Sequence, residues 1–386
     1  MKKIIPYGRQ TITDDDIKAV IETLQSDFMT QGPKVLEFES AFAEYVDAKY
    51  AVAVSNGTAA LHISALALGV SVGDNVIVTP ITFAASANCI RYCGGNVEFC
   101  DIDKDNFLID IEKLESILQS KPKSFFKGII PVDYAGYPID VERLKKIADE
   151  YGLWIIEDAC HAPGAYFIDS TGKKQKVGNG IFADLTCFSF HPVKHIATGE
   201  GGMITTNSRE LYEKLLLLRT HGITKDPYRL QENHGGWYYE MQELGYNYRL
   251  TDFQAALGLS QLKRADEGLQ CRRKIAQRYN EAFQKIAKII TPKTCDNINH
   301  AYHLYIIQTE DRLTLYNHLK EHNILVQVHY IPVHLLPYYK QFGWKTGDFE
   351  VAETFYKHCL SLPMYPSLTS EEQEYVIESI INFLNN

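Results

Sequence analysis

The chain has 386 residues, of which 45% are hydrophobic and 23% charged, a composition typical of a globular protein with a large buried interior. This length is long for a single hydrophobic core, so we expect two structural units. The formal net charge of −9 gives no sign of the clustered basic surface that nucleic acids or anionic membranes require, although an anionic substrate could bind through local groups.

The sequence carries no signal that would direct it to a membrane or out of the cell. The segment MKKIIPYGRQ lacks the apolar core of a signal peptide, and no apolar run approaches the ~20 residues that span a bilayer. The eight cysteines contain no CxxC pair, which argues against a disulfide scaffold or a zinc ribbon. We therefore expect a cytoplasmic protein with mostly buried free thiols.

Short apolar runs alternate with helical patterns from residue 51 onward. AVAV (51–54), NVIVT (75–79) and LWIIED (153–158) are typical of strands, and each lies next to a helical pattern. GIIPVDY, ADLTCFSF and GGMITT supply further buried strands. This alternation predicts an α/β fold in which helices cover both faces of a mainly parallel sheet.

The rhythm changes after residue 250. One long helical pattern from Leu250 to about Phe283 is expected to connect two domains. Beyond it, the strands HLYIIQT and ILVQVHY, the helical RLTLYNHLKEH and a final helix from Ser370 predict a smaller α+β unit. We predict a large domain at 1–250 that includes the N-terminal segment, and a connecting helix with a small C-terminal domain at 251–386.

Two features lie where a parallel sheet binds ligands. Asp158 ends the strand LWIIED, and ligands bind at the carboxyl ends of such strands, although a helix cap or surface turn is a simpler interpretation. SNGTAAL (55–61) joins a strand directly to a helix and places Gly57, Thr58 and Ala59 at the helix start. Free N–H groups there can hold a phosphate, but a routine cap produces the same pattern.

FSFHPVK (188–194) places Lys194 in an aromatic and apolar stretch. A structural lysine that extends its amine to the surface is one interpretation. The other is a lysine whose charged form is disfavoured by burial, which a Schiff-base nucleophile requires. A lysine nucleophile, a strand-end carboxylate and a phosphate-type helix start are together the groups that pyridoxal 5'-phosphate (PLP) needs.

The sequence resembles the fold-type I PLP enzymes, and within them the sugar-nucleotide aminotransferases of the DegT/StrS family. The resemblance rests on motifs in family order over residues 27–262, namely SNGTAAL, TPITFAASANCI, EDACHAPGA, FSFHPVK followed by GEGGMITTN, RTHG, and LGYNYRLTDFQAALGLSQL. It implies an aspartate aminotransferase-like large domain with a mainly parallel sheet and a smaller α+β C-terminal domain.

The resemblance also implies roles for particular residues around the cofactor ring. Lys194 matches the lysine that forms the internal aldimine and then moves the proton, and Asp158 matches the residue that pairs with the pyridine nitrogen. These two are the predicted catalytic residues. Phe83 matches the aromatic side chain that stacks on the ring, and His161 lies at a position beside the cofactor.

Four further residues match family positions at the cofactor phosphate. Gly57 and Thr58 match the helix-start donors, and Ser189 matches a nearby hydroxyl. Asn247 matches a residue that reaches the phosphate from the partner subunit. The resemblance therefore implies a homodimer with shared active sites.

A narrower resemblance, to the aminotransferases of pseudaminic acid biosynthesis, rests on IPYGRQ, DFMTQG, FSFHPVK with EGG, and HYIPVHLLPYY. It implies transfer of an amino group, from L-glutamate in most relatives, to C4 of a UDP-linked 4-keto-6-deoxy-N-acetylhexosamine. The substrate pocket would contain Tyr7, Met29, Thr30, His329 and Tyr330. Interface or core packing explains each of these residues more simply when the resemblance is set aside.

Three alternatives stay open at this point. The product could be an amino sugar of the bacillosamine, perosamine or 3-amino-deoxysugar type, because pocket residues outside the motifs decide it. A regulatory protein could keep the cofactor pocket without catalysis, although no basic DNA-binding segment accompanies it. A zinc enzyme could use His318 and His322 with the nearby His300 and His303, but no partnering Glu or Cys pattern supports this.

Overall fold

The computed structural model describes residues 4–385, which leaves the first three residues of MKKIIPYGRQ outside the described part. The strands are β1 (Tyr50–Val54), β2 (Asn75–Val78), β3 (Asn96–Phe99), β4 (Phe126–Ile130), β5 (Trp154–Asp158), β6 (Tyr166–Ile168), β7 (Lys174–Lys176), β8 (Leu185–Ser189), β9 (Gly202–Thr206), β10 (Ile223–Thr224), β11 (Glu240–Met241), β12 (Ile298–Asn299), β13 (Tyr305–Gln308) and β14 (Cys359–Leu362).

The helices are α1 (Asp14–Leu24), α2 (Pro33–Val46), α3 (Gly57–Ala67), α4 (Ala85–Tyr92), α5 (Ile111–Gln119), α6 (Val141–Tyr151), α7 (Arg209–Arg219), α8 (Asp252–Leu262), α9 (Ala265–Phe283), α10 (Arg312–Glu321), α11 (Pro337–Lys340), α12 (Glu350–His358) and α13 (Ser370–Asn385). No helix in residues 4–385 combines the length and apolar character needed to cross a membrane.

The centre of the fold is a seven-stranded sheet with the order β1-β9-β8-β5-β4-β2-β3. The neighbours from β8 to β3 pair in parallel, and only β9 runs antiparallel to both of its neighbours. Ile129, Ile155 and Leu185 on central strands are fully buried, as expected where helices cover both faces. The predicted α/β fold with a mainly parallel sheet is confirmed.

The helical pattern from Leu250 to Phe283 is two helices, so the expectation of one long helix was wrong. Helix α8 ends at Leu262 and α9 begins at Ala265. The backbone of Arg264 leaves the helical region at φ −117° and ψ 14°. The Arg264 side chain donates to the carbonyl of Thr11 at 2.8 Å and pairs with Asp16, so the break docks against the N-terminal segment. Apolar periodicity does not record so short an interruption.

The C-terminal unit has its own core, in which buried side chains of α9, α10 and α13 pack around the two-stranded sheet of β13 and β14. The predicted strand HLYIIQT corresponds to β13. The segment ILVQVHY is not a strand: it makes only isolated bridges, from Ile324 to Ile5 and from Gln327 to Ser361. The division of the chain after residue 250 stays a prediction.

Candidate active site

Three chain segments meet at the carboxyl edge of the central sheet. Strand β5 ends at Asp158, the parallel strand β8 ends at Ser189, and β1 leads into the start of α3 at Gly57. The Asp158 side chain is buried, accepts a hydrogen bond from the Ser86 hydroxyl at 2.6 Å and accepts one from the Cys160 amide at 3.2 Å. Asp158 is therefore neither a helix cap nor a surface turn, which were its simpler interpretations.

Lys194 lies in the turn that follows β8. The residue as a whole is only half-buried, but its amine is enclosed by neighbouring groups, and its Nζ lies 3.4 Å from Nε2 of His303. Burial lowers the pKa of this amine to about 8, against the smaller opposing influence of Cys160 and Asp158. A lysine that extends to solvent would keep its ordinary pKa, so the surface interpretation of Lys194 does not fit.

The start of α3 forms a small cradle beside Ser189. Asn56 caps the helix by accepting a hydrogen bond from the Ala59 amide at 2.8 Å, which leaves the first two amides of the helix, on Gly57 and Thr58, without a helical acceptor. A Cβ atom at position 57 would lie 2.9 Å from Cβ of Ser189, closer than side chains pack. Only glycine leaves this space open next to two free donors.

Phe83 exposes 61% of its surface although it precedes α4 by only two residues and lies close in sequence to Ser86. Its ring centroid is 6.1 Å from that of Tyr330, at an angle of 57°. Phe83 is therefore not part of the hydrophobic core. An exposed apolar ring at this edge offers a flat surface for a planar ligand.

His161 links the sheet edge to Tyr330. Its Nδ1 accepts a hydrogen bond from the Ala135 amide at 3.2 Å, and its Nε2 lies 3.1 Å from the Tyr330 hydroxyl. Burial, assisted by the charge of Lys194, holds the pKa of His161 well below its ordinary value, so the ring is neutral. The proton is then on Nε2 and is donated to Tyr330, whose own hydroxyl proton is free to meet a ligand.

Two of the residues assigned to the substrate pocket pack beside this group. The rings of Tyr7 and His329 lie 5.4 Å apart, and Nδ1 of His329 lies 2.8 Å from the Ser361 hydroxyl. Burial lowers the pKa of His329 to about 3, so this ring is also neutral. Tyr7, His329 and Tyr330 therefore form one wall next to Lys194.

Three other predicted residues lie elsewhere in the chain's own fold. Met29 is 52% exposed, and its carbonyl accepts a hydrogen bond from the amide of Asp252 at the start of α8. Thr30 bridges to Thr251 beside it. Asn247 is exposed, and its backbone pairs with Thr220. Within residues 4–385, no hydrogen bond joins these three side chains to Lys194 or Asp158.

Sequence reasoning missed several residues of the site. Ser86 lies in the motif TPITFAASANCI three positions after Phe83, and this spacing on one helix turn was a usable signal. Cys160 lies beside Asp158 in EDACHA. His303 was considered only as a zinc ligand, and nothing in its local sequence pointed to Lys194.

The described residues hold no group of three or more His, Cys, Asp or Glu side chains that could bind a metal ion. Two of the histidines proposed as zinc ligands instead contact the backbone of nearby residues. Nδ1 of His322 lies 2.7 Å from the carbonyl of His318, and Nδ1 of His300 accepts a hydrogen bond from the Tyr302 amide at 2.8 Å.

The arrangement fits PLP on observations independent of any relative. Two amides and a cradle that a Cβ would fill suit a phosphate, and an exposed aromatic ring suits a planar pyridine. A buried carboxylate and a desolvated lysine suit the ring nitrogen and the carbonyl of the cofactor. These groups define a pocket for a phosphorylated aromatic aldehyde at the carboxyl edge of an α/β sheet.

The model of the DegT/DnrJ/EryC1/StrS aminotransferase family matches residues 10–381, and the chain belongs to this family. It is therefore an aminotransferase that uses PLP, as the sequence predicted. The non-catalytic alternative does not hold.

Two relatives cover almost the whole chain. The spore coat polysaccharide biosynthesis protein SpsC of Bacillus subtilis is 42% identical over 97% of this chain and 96% of its own length. The UDP-4-amino-4,6-dideoxy-N-acetyl-beta-L-altrosamine transaminase of Campylobacter jejuni is 38% identical over 99% of this chain and 98% of its own length.

Solved structures share the fold over the same extent. Helicobacter pylori PseC, an aminotransferase involved in the biosynthesis of pseudoaminic acid, superposes with a TM-score of 0.90 at 32% identity and covers 99% of this chain and 100% of its own. The Spr1654 protein of Streptococcus pneumoniae, solved in its PLP form, superposes with a TM-score of 0.90 at 31% identity and covers 99% of both chains. The predicted fold class and family are confirmed.

Proposed function

We propose that this enzyme transfers an amino group from L-glutamate to C4 of a UDP-linked 4-keto-6-deoxy-N-acetylhexosamine, as in pseudaminic acid biosynthesis. The observation that carries the proposal is the near full-length similarity to the Campylobacter jejuni transaminase that is named for this amino sugar. The fold of Helicobacter pylori PseC and the wall formed by Tyr7, His329 and Tyr330 support it.

The proposed catalytic residues are Lys194 and Asp158. When bound, PLP supplies an aldehyde that exchanges with amines and a ring that withdraws electrons from the adjacent carbon. The Lys194 amine, with a pKa lowered to about 8, is neutral often enough near neutral pH to remove a proton from the donor carbon and return one to the acceptor carbon. Asp158, fixed by Ser86 and Cys160, would hold a proton at the ring nitrogen.

The other proposed cofactor contacts position these two groups. The free amides of Gly57 and Thr58 would bind the phosphate together with the Ser189 hydroxyl. The exposed ring of Phe83 would cover one face of the pyridine. His161 would lie beside the cofactor, where its Nε2 proton orients the Tyr330 hydroxyl toward the substrate.

A homodimer would complete the site with Asn247 of the partner subunit. Exposed apolar residues support this assembly, because Ile17, Ile21 and Leu24 are spaced as one stripe of α1 and each is about half exposed. Phe28 and Met29 extend the same apolar surface. A stripe of this spacing normally packs against protein. We propose that it packs against a second copy, which would also bring Met29 and Thr30 to a shared pocket.

A charge on this stripe tests the assembly. Ile21→Lys should shift the protein from dimer to monomer in light scattering at micromolar concentration and lower cofactor affinity, whereas Glu22→Lys on the neighbouring exposed position of α1 should leave the dimer intact. A dimer that persists in Ile21→Lys would contradict this interface. The eight free cysteines fit the reducing cytoplasm, in which we place the enzyme.

A second candidate function is amination of a different nucleotide-linked keto-sugar, of the bacillosamine, perosamine or 3-amino-deoxysugar type. The higher identity to SpsC, whose name refers to spore coat polysaccharide, favours this alternative. The two candidates share the cofactor chemistry and differ only in the pocket that receives the sugar and nucleotide.

The substrate is tested by assaying the purified enzyme with glutamate and a panel of UDP-, dTDP- and GDP-linked keto-sugars. The proposal expects turnover of the UDP-linked 4-keto sugar with a kcat/KM at least ~100-fold above that of the others, a ratio that several lost polar contacts would give. Turnover only of a dTDP-linked 3-keto sugar would contradict the proposed substrate. Lys194→Ala should abolish turnover of every substrate, whereas Lys145→Ala on the surface of α6 should not.

A further inference from the structure

The backbone that carries His303 accepts hydrogen bonds from an arginine that has no carboxylate partner in the described residues. Arg272, on α9, is 1% exposed, and Nη1 donates to the carbonyls of Tyr302, His303 and Met364 at 3.2, 3.2 and 2.9 Å. No acidic side chain in residues 4–385 forms an ion pair with it, and its Nε is buried without an acceptor. A buried charge without a counter-charge is costly, so its retention calls for a function.

The segment that Arg272 holds has two further costly features. Tyr302 has φ +48°, in the left-handed region that residues other than glycine rarely adopt. Nδ1 of His303 is buried without a hydrogen-bond partner. Conformations of this kind persist where surrounding contacts enforce them, and they are concentrated at functional sites. The three donations from Arg272 are such contacts.

The Nε2 atom of His303 contacts the amine of Lys194. Burial, together with the charges of Lys194 and Arg272, keeps the pKa of His303 well below its ordinary value, so the ring is neutral. A lysine ammonium can only donate, and therefore Nε2 of His303 accepts and the ring proton is on Nδ1. An apolar residue would avoid the unpaired Nδ1 but would leave the amine without this acceptor.

We propose that Arg272 and His303 are positioning residues for Lys194: Arg272 fixes the backbone of Tyr302 and His303, and Nε2 of His303 directs the lysine amine toward the reaction site. Arg272 also places a positive charge near that amine, which favours its neutral, basic form. The inference rests on the proposed role of Lys194 and adds how the chain holds and tunes it.

The test must separate this role from the other groups around the amine. The titratable and charged groups that act on Lys194 or respond to its charge are Asp158, Cys160, His161, His195, Arg272, His303 and His329. These groups belong to the end of β5 and the turn after it, to the loops around residues 195, 303 and 329, and to α9. Substitutions of Arg272 and His303 leave Asp158 and Cys160 in place.

The experiment measures the pH at which Lys194 becomes reactive in the full-length, cofactor-free protein. Brief acetylation at a series of pH values, followed by mass spectrometry of the peptide that contains Lys194, gives the midpoint directly. Wild-type protein should titrate near the pKa of about 8. Arg272→Met should raise the midpoint by about one unit, because a nearby cation is lost, whereas His303→Leu should lower it, because the ammonium loses its acceptor.

Conservative variants make the result decisive. His303→Gln keeps a polar atom close to the position of Nε2 and should restore the midpoint and most of the rate of the reaction with glutamate, which His303→Leu should lower roughly tenfold. Arg278→Met, a partly exposed arginine of α9 that pairs with Glu374, is the control and should change neither. Equal midpoints in wild type, His303→Leu and His303→Gln would overturn the proposal.

Two outcomes need to be told apart. Arg272→Met removes buried donors and could unfold the protein, so Arg272→Lys is made as a second variant. Arg272→Lys keeps the charge and should keep the wild-type midpoint. If both Arg272 variants unfold, the comparison of His303→Leu with His303→Gln decides the outcome. Added PLP should protect Lys194 from acetylation in wild-type protein. Loss of that protection would contradict the proposed role of Lys194 itself, whereas failure of the present inference leaves the protection intact.

Discussion

The carboxylate of Asp158 accepts a hydrogen bond from the hydroxyl of Ser86, with 2.6 Å between Oδ2 and Oγ. Ser86 lies on α4, and the Thr82 hydroxyl lies 2.7 Å behind it. Because the Ser86 proton goes to Asp158, Thr82 donates to Ser86, and the chain of hydroxyls ends on the carboxylate. The proposed partner of the cofactor ring is therefore held from a second element of the fold.

Ser86→Ala should lower kcat about tenfold and change KM for glutamate less than twofold. A hydrogen bond to a charged group is worth ~1.5–3 kcal/mol, and its loss leaves Asp158 free to rotate away from the ring nitrogen. Steady-state kinetics on the cofactor-loaded enzyme measure this. Ser379→Ala, a buried serine of α13 whose hydroxyl donates to the Tyr375 carbonyl, is the matched control. An unchanged kcat in Ser86→Ala would show that Asp158 does not need this donor.

Tyr330→Phe should lower kcat/KM for the sugar substrate more than kcat/KM for glutamate. The phenol accepts from His161 Nε2, which leaves its own proton available to the proposed substrate. We expect kcat/KM for the keto-sugar to fall ~10–100-fold, the value of one or two lost polar contacts, and that for glutamate by less than ~3-fold. Tyr279→Phe, whose hydroxyl bonds the Pro363 carbonyl in the C-terminal core, should change neither. Equal losses for both substrates would contradict a role in sugar recognition.

Gly57→Ala should weaken the cofactor rather than the fold. The new Cβ would lie 2.9 Å from Cβ of Ser189, where the phosphate is expected, and position 57 does not have a positive φ that would exclude alanine. We expect the affinity for PLP, measured by its visible absorbance, to fall ~10-fold or more, about 1.4 kcal/mol. Gly268→Ala on α9 meets only Pro366 at 3.5 Å and should bind PLP normally. Normal PLP affinity in Gly57→Ala would contradict the proposal that the phosphate binds beside Gly57.

Glu157 gives the protein a pH-dependent stability that the active site does not explain. Burial raises the pKa of this carboxyl from 4.5 to about 7, against hydrogen bonds from Thr186 and Gly178. The native state then holds a proton that the unfolded chain releases, so stability falls as pH rises from about 4.5 to about 7, by on the order of 2–3 kcal/mol.

Glu157→Gln should remove this loss, since the amide oxygen still accepts from Thr186 and carries no charge. The melting temperature at pH 8 should rise above that of wild type, and its decline between pH 5 and pH 8 should become shallower. The exposed Glu44→Gln on α2 should follow the wild-type curve. If Glu157→Gln and wild type keep parallel curves, the Glu157 carboxyl is ionised in the native protein at pH 5.

Six of the seven strands of the central sheet could be predicted because each leaves an apolar run that burial on both faces demands. The edge strand β3 (NVEF) is only partly buried and leaves no such run, so the sequence does not predict it. Local sequence also predicts that Asp158, Gly57 and Lys194 lie near the carboxyl edge of the sheet, because each is at a strand end or within about five residues of one. The break at Arg264 and the unpaired segment ILVQVHY could not be predicted, because both depend on where the N-terminal segment docks.

The site residues that sequence reasoning missed make contacts with residues far away in the chain. Ser86 and Asp158 are 72 residues apart, and Lys194 and His303 are 109 apart. The spacing of Ser86 after Phe83 hinted at a shared site but not at Asp158, and the local sequence of His303 does not differ from ordinary loop sequence. Within residues 4–385 no hydrogen bond joins Met29, Thr30 or Asn247 to Lys194, so their proposed roles rest on the proposed homodimer.

Borohydride reduction tests most directly whether Lys194 is the residue that bonds the cofactor. The full-length protein is loaded with PLP, reduced and digested, and the peptides are mapped by mass spectrometry. We predict one modified peptide, with the reduced pyridoxyl group on Nζ of Lys194, and no modification in the Lys194→Ala protein. A pyridoxyl group on any other lysine, with Lys194 unmodified, would contradict the assignment.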